Sequence, residues 1–250
     1  TDLLHYREVC YSIMKGLLLL LLISTIASDR VSDIVQRLRQ SSKYSSNKQT
    51  LVIMCEVLLR KGYTTAFTAG VLGNIVHEGS IGKFESSNYK DESRKPQYLK
   101  YMDQLYSYRS KYSGKIVTDV SMRDLNKLME KLRADNWKKG KFGLGCIQWT
   151  GGRTYNLVQQ YNKQCNNRDK ITINEATAAE ANMVISELSG AYKYVYTKWE
   201  NANPNKDTIS AAYSAGSILC IHYEVPANRE QRAIERGNTA KDIYNILNGK

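Results

Sequence analysis

The sequence is short of histidine, short of phenylalanine and without a long apolar run, and each shortage removes a class of function. Three histidines, at positions 5, 77 and 222, form no His-x-x-His or Glu-spaced ligand set, so neither a metal site nor another cofactor is expected. The apolar run from Leu17 to Ile23 falls well short of the about 20 residues that span a bilayer, which argues against a stable membrane anchor. No helix-turn-helix, zinc-finger or RNP-like signature is present, and Lys and Arg are spread along the chain, so no specific nucleic acid is expected. No internal repeat is visible. Against three Phe stand eighteen Tyr. Tyrosine gives flat faces with a polar tip, which suits a sugar or polymer cleft and also half-buried core positions.

What is present bounds the answer further. The chain has 250 residues and 42% apolar content, enough for a substantial core. Met14-Lys15-Gly16, the apolar run and small residues at Ala27 and Ser28 have the layout of a secretory signal. Residues 1–13 precede that Met and read as upstream sequence, so 1–28 are set aside from the fold. Export is therefore expected. Cys55, Cys146, Cys165 and Cys220 follow the signal, and an even number in an exported chain suggests one or two disulfides of undetermined pairing. The net charge is +12, and removing 1–28, with two basic and two acidic residues, leaves it unchanged. A basic exported protein calls for an anionic partner, and bacterial wall polymer fits better than nucleic acid.

Hydrophobic spacing predicts a mostly helical chain. A short amphipathic helix at 29–40 and a Ser-rich loop at 41–46 precede a helix from Asn47 to Lys61, stopped by Gly62. Residues 79–93 read as a rim loop or small hairpin, and 97–110 as a helix with Pro96 near its first turn. Ser121 with Asp124 opens another helix, and Thr172 with Glu175 forms a capping box for a helix to Leu188. Between these lies a glycine-rich loop, with glycines at 140, 143, 145, 151 and 152. Helices near 154–164, 192–199, 209–215 and 230–247 complete the chain, which is expected to be a monomer.

The stretch Thr64 to Glu85 organises the rest. Thr64 or Thr65 caps a helix whose Phe67, Val71, Leu72, Ile75 and Val76 recur at helical spacing. Ala66, Ala69, Gly70 and Gly73 leave room for another backbone to approach closely. The apolar face delivers one carboxylate, Glu78, to the helix end at Gly79, with Asn74 one turn before it on the same face. Apolar walls around such a carboxyl favour its protonated form, which is what a general acid at neutral pH needs.

Three segments together resemble the phage tail-tip lysozymes, within the wider lysozyme and lytic transglycosylase superfamily. Ala69-Gly-Val-Leu-Gly-Asn-Ile-Val-His-Glu-Gly79 is similar to the family's Gly-x-x-Gly-Asn-x-x-x-Glu-Ser helix. Gly143-Leu-Gly-Cys-Ile-Gln-Trp-Thr-Gly-Gly-Arg153 is similar to its Gly-Leu-x-Gln-Trp-Thr-x-x-Arg loop. Tyr223-Glu-Val-Pro-Ala227, with Arg232 behind it, resembles its Tyr/Phe-Glu-x-Pro signature before the last helix. The chain departs from the pattern at Gly79, where the family has Ser, and at the interposed Cys146.

The resemblance implies a mainly α, lysozyme-like catalytic domain over 47–250, with a small loop or β-hairpin region lining a glycan cleft. Its implied reaction is cleavage of peptidoglycan between N-acetylmuramic acid and N-acetylglucosamine, with Glu78 as general acid. Gln148, Trp149, Asn74 and Tyr223 would then contact substrate, Trp149 by stacking its indole on a sugar ring or else by plugging the core. Glu85 and Asp91 are candidates for a second acid. Glu224, Arg153 and Arg232 would be structural, Glu224 as a buried partner of one of the two arginines. Hydrolysis and transglycosylation both remain open. Two other functions compete: a wall peptidase with Cys146 as nucleophile and His222 as base, and a non-catalytic wall-binding module built on Trp137, Trp149, tyrosines and positive charge.

Overall fold

The computed structural model describes residues 28–85, 112–137, 142–166, 168–226 and 228–250. Helix α1 covers residues 28–40, followed by α2 (Lys48–Arg60), α3 (Thr65–Glu78), α4 (Met122–Ala134), α5 (Gly152–Gln164) and α6 (Ile173–Ser189). Then come α7 (Lys193–Ala202), α8 (Ile209–Leu219), a π-helical turn (Cys220–Glu224) and α9 (Arg229–Leu247). The expected mainly helical fold is what forms. The hairpin expected at the cleft is not seen among the described residues. Among the described residues the only extended pairings are the isolated bridges Lys83–Ile116, Phe84–Leu144 and Leu144–Trp149. The helix expected at 97–110 and most of the rim loop lie outside the described residues.

α3 is the central helix, with every residue from Thr65 to Ile75 buried. Its start is fixed twice: Thr64 accepts from the Phe67 amide at 3.2 Å, and Asp207 accepts from the Ala66 amide at 3.1 Å. The small residues serve the close approach that their size permits. A Cβ on Gly70 would lie 2.4 Å from the Ala215 Cβ of α8, and one on Gly73 would lie 3.0 Å from the Arg236 carbonyl of α9. α8 and α9 close on each other in the same way, at Gly216 against the Arg236 carbonyl. Three backbones thus meet where side chains would normally intervene, and Glu78 is carried out at the end of the resulting wedge.

α1 folds back on this body through Ile34, Val35 and Leu38, which join the common core, and Arg37 bonds the Leu247 carbonyl at 2.9 Å. α4 buries Met122, Leu125, Leu128, Met129 and Leu132 and is capped by Ser121 as its sequence predicts. The capping box at Thr172 and Glu175 forms in full. The expected disulfides do not form. Cys55, Cys146, Cys165 and Cys220 are free, buried thiols. They are held apart as core packing, and burial pushes the Cys55 thiol up to about 12.

Candidate active site

Glu78 is the last residue of α3, and 17% of its side chain is exposed. Its Oε1 accepts from Nη2 of Arg236, a guanidinium only 1% exposed on α9. The sequence reading expects apolar walls here, and the structure supplies a buried cation. Arg236 is itself aimed by Asn74, whose Oδ1 accepts from Nη1 at 3.3 Å. The Asn74 amide donates to the carbonyls of Gly70 and Gly216, at 2.9 and 3.0 Å. Asn74 is 1% exposed with both ends of its amide engaged. It is therefore a strut between α3, α8 and α9, and the substrate contact expected of it is not available. Behind the site, the Asn47 amide donates to the carbonyls of Val76 and Gly79 and so closes the end of α3.

The glycine-rich loop lies directly against that helix end. Gln148 sits at φ 51°, a left-handed conformation uncommon outside glycine, and donates through Nε2 to the carbonyls of Gly145 and Lys83 at 2.8 and 3.1 Å. Its amide lies 2.9 Å from where a Gly79 Cβ would stand, so Gln148 and Glu78 neighbour each other. Gln148 is half-buried and remains open to a ligand on one side. The backbone on either side is latched by Leu144 and Trp149, which exchange both amide–carbonyl bonds.

Two buried carboxylates of α6 hold the loop from beneath. Glu180 is fully buried and accepts from the Gly82 amide at 2.6 Å, the Cys146 amide at 2.8 Å and the Tyr161 hydroxyl at 2.5 Å. Burial raises its pKa while those donors oppose the rise. Glu187, two turns on, accepts from Trp149 Nε1, from Arg153 Nε and Nη2, and from the Tyr223 hydroxyl, all between 2.5 and 2.8 Å. Arg153 also donates to the Tyr223 carbonyl at 3.1 Å and stacks over the Tyr192 and Tyr223 rings. One acid therefore ties the loop to the turn before Lys83, and the other ties it to the Tyr223–Glu224 turn. Neither acid is among the expected site residues, although both fall on the apolar stripe of α6 among Ala176, Met183, Val184 and Leu188, a place where a charge signals a buried partner.

This network corrects three expectations. Trp149 is 0% exposed with its N–H spent on Glu187, so it plugs the core and offers no face to a sugar. Tyr223 is 1% exposed with its hydroxyl likewise spent. Neither Arg153 nor Arg232 holds Glu224: Arg153 pairs with Glu187, and Arg232 is an exposed residue one turn before Arg236. Arg236 was missed because the two arginines are four residues apart on one helix, and only packing decides which is buried. Trp137 is half-buried and lines a shallow depression with Arg133, Arg153 and Tyr155.

Of the candidate second acids, Glu85 is an exposed residue whose Oε2 accepts from the Gly143 amide at 2.9 Å. Asp91 lies outside the described residues. His77 points to another face, within 2.9 Å of Thr239 Oγ1, and burial with the nearby Arg236 charge lowers its pKa. The Cys146 thiol is fully buried, and burial together with the Glu180 charge pushes its pKa well up. That is the opposite of an activated nucleophile.

A wedge-packed helix ending in a carboxyl, faced by a Gln-Trp loop and a Tyr-Glu turn, is thus built from all three sequence segments singled out above. A family model for phage tail lysozyme matches residues 49–247. The chain belongs to the phage tail lysozyme family. Membership makes it a lysozyme-like enzyme with peptidoglycan as its substrate. The match spans α2 to α9, so it includes the helices that position Glu78, Gln148 and Glu224. Comparison with curated proteins and with solved structures gives no significant match.

Proposed function

We propose that this phage tail lysozyme is a muramidase that cleaves the bond between N-acetylmuramic acid and N-acetylglucosamine, with Glu78 as general acid. The observation that carries the reading is the position of the Glu78 carboxyl. It is partly open to solvent, fixed by a buried guanidinium, and carried at the helix end whose next residue, Gly79, packs against the Gln148 amide of the glycine-rich loop. Glu78 gives its proton to the glycosidic oxygen as the C–O bond breaks and the sugar ring gains oxocarbenium character. Gln148, whose Nε2 already donates to two backbone carbonyls, offers its amide oxygen to an acetamido N–H or a hydroxyl group of the sugar. Arg236 keeps the carboxyl from rotating away and carries compensating charge once the proton has left. The basic surface, +12 overall, draws the enzyme to the anionic wall. In this reading the protein works outside the cell that makes it, as a monomer.

The test is mass spectrometry of the soluble products released from purified peptidoglycan. Disaccharide-peptides with cleaved glycan and intact stem peptides are expected, and the reducing-end mass tells a hydrolysed end from an anhydro sugar. Intact glycan strands with cleaved peptides would overturn the proposal.

A further inference from the structure

Past Trp149 the glycine-rich loop runs into a second concave feature, which the chemistry at Glu78 leaves unused. Thr150, Gly152 and Asn156, around the start of α5, line a depression of about 440 Å³ with Arg133 and Trp137 from the end of α4. That volume lies within the roughly 300–1,000 Å³ of small-ligand sites. A Cβ on Gly152 would meet nothing within 4 Å, so the space over the first turn of α5 is open. Trp137 is brought there by an uncommon backbone: Asn136 and Trp137 lie at φ 54° and 61°, and their amides bond the Arg133 and Leu132 carbonyls at 2.9 and 2.8 Å. Two guanidiniums and no carboxylate line the depression. Arg153 spends its donors on Glu187 and the Tyr223 carbonyl. Arg133 is different. It is exposed, stacks at 4.5 Å over the Tyr155 ring, donates to the Tyr155 hydroxyl at 2.7 Å, and forms no ion pair among the described residues. Glu130, one turn before it, accepts from that hydroxyl at 2.9 Å instead and does not line the depression.

We propose that this depression is a subsite for the peptide stem of peptidoglycan, in which Arg133 binds a stem carboxylate and Trp137 packs against an apolar stem residue. The inference rests on the muramidase reading and deepens it, because the stem hangs from the muramic acid beside the bond that is cut. Gln148 packs against Gly79 at the end of the catalytic helix, and Thr150 is two residues further on, at most about 7 Å of chain. Sugar and stem of one repeat can therefore occupy the two places together. Arg153 joins them, since it lines the depression and also bonds the Tyr223 carbonyl of the facing turn. One uncompensated guanidinium matches a monoanion, and its flat fork pairs a carboxylate through two parallel bonds. The indole adds an apolar face for the neighbouring stem residue. A phosphate polymer, charged at every repeat, would call for several free cations where the lining supplies one. The subsite favours strands that carry stems and takes no part in breaking the glycosidic bond.

Titration with muramyl dipeptide, a single sugar whose short stem ends in one carboxylate, tests this without reference to cleavage. The indole N–H signals report it in proton–nitrogen correlation spectra. The Trp137 signal, assigned by its loss in Trp137→Phe, should shift. The buried Trp149 and Trp199 indoles, bonded to Glu187 and to the Ala211 carbonyl, should stay in place. The shift should persist in Glu78→Gln and vanish in Arg133→Gln, a change at an exposed position. In steady-state lysis, wild type should show a KM about tenfold lower for glycan strands with stems than for the same strands stripped by an amidase. That is the scale of one hydrogen bond to a charged group, and Arg133→Gln should lose the difference. No Trp137 shift, a shift that survives Arg133→Gln, a stronger response to glycerol phosphate than to the dipeptide, or equal KM for the two strands in wild type would each overturn the proposal. Wall lysis by Glu78→Gln would instead sink the muramidase reading and leave the dipeptide titration untouched, so the two failures are distinct.

Discussion

Gly79 shows how tightly single residues are set at this site. Its φ of 176° is extended backbone that any residue adopts, so the glycine is required by space and not by conformation. A Cβ there would meet the Gln148 amide at 2.9 Å and the Gly145 carbonyl at 3.0 Å. The family's serine at this place would crowd the loop, moving the flexible Gln148 amide and pressing on the Gly145 carbonyl. Gly79→Ser should push Gln148 off its position and slow wall lysis by roughly ten- to a hundredfold, the scale of a displacement near 1 Å in a catalytic site. Turbidity loss of wall suspensions measures it, and an undiminished rate would mean that Gln148 does not matter where it stands. The same economy governs Asn74, whose amide bonds leave Arg236 a single direction in which to meet Glu78.

At the scale of elements, α6 is the organiser, because Glu180 and Glu187 reach from one helix to both walls of the site. Glu187 satisfies an indole, a guanidinium and a phenol at once, and truncating it leaves the half-buried Arg153 without its counter-charge and with only the Tyr223 carbonyl to bond, and the Trp149 N–H and Tyr223 hydroxyl without their acceptor. Glu187→Ala should cost roughly 3–5 kcal/mol, the usual cost of breaking one side of a buried ion pair. Urea denaturation reads it, and a loss below about 1 kcal/mol would show the network to be ornamental. Periodicity and capping made most helices legible in the sequence, since α3, α4 and α6 carry their caps and apolar stripes within a dozen residues. The position of Glu78 at the end of α3 was legible for the same reason. The partners were not, because Glu180 bonds Gly82 across 98 positions of chain and Arg236 bonds Glu78 across 158. Trp149 misled because a tryptophan among glycines has the look of an exposed platform, and only a carboxylate 38 residues further on decides that it turns inward.

For the molecule as a whole, the wedge of α3, α8 and α9 carries the fold without covalent staples. Cys55, Cys146, Cys165 and Cys220 contribute as small buried hydrophobes, and burial raises the pKa of Cys55, Cys146 and Cys220. A reductant should therefore leave the melting temperature unchanged, and Ellman's reagent should reach these four thiols only after unfolding. A melting temperature that drops by several degrees on reduction would restore the disulfides. Fold and site then converge on a single carboxyl at the end of the central helix. Glu78→Gln keeps the side chain's size and its hydrogen-bond acceptor for Arg236 but removes the acid and the counter-charge, so the purified variant should melt below wild type yet stay folded at 25 °C by circular dichroism, still sediment with bacterial walls and release no soluble muropeptides from them. Release at the wild-type rate by that folded variant would contradict the account.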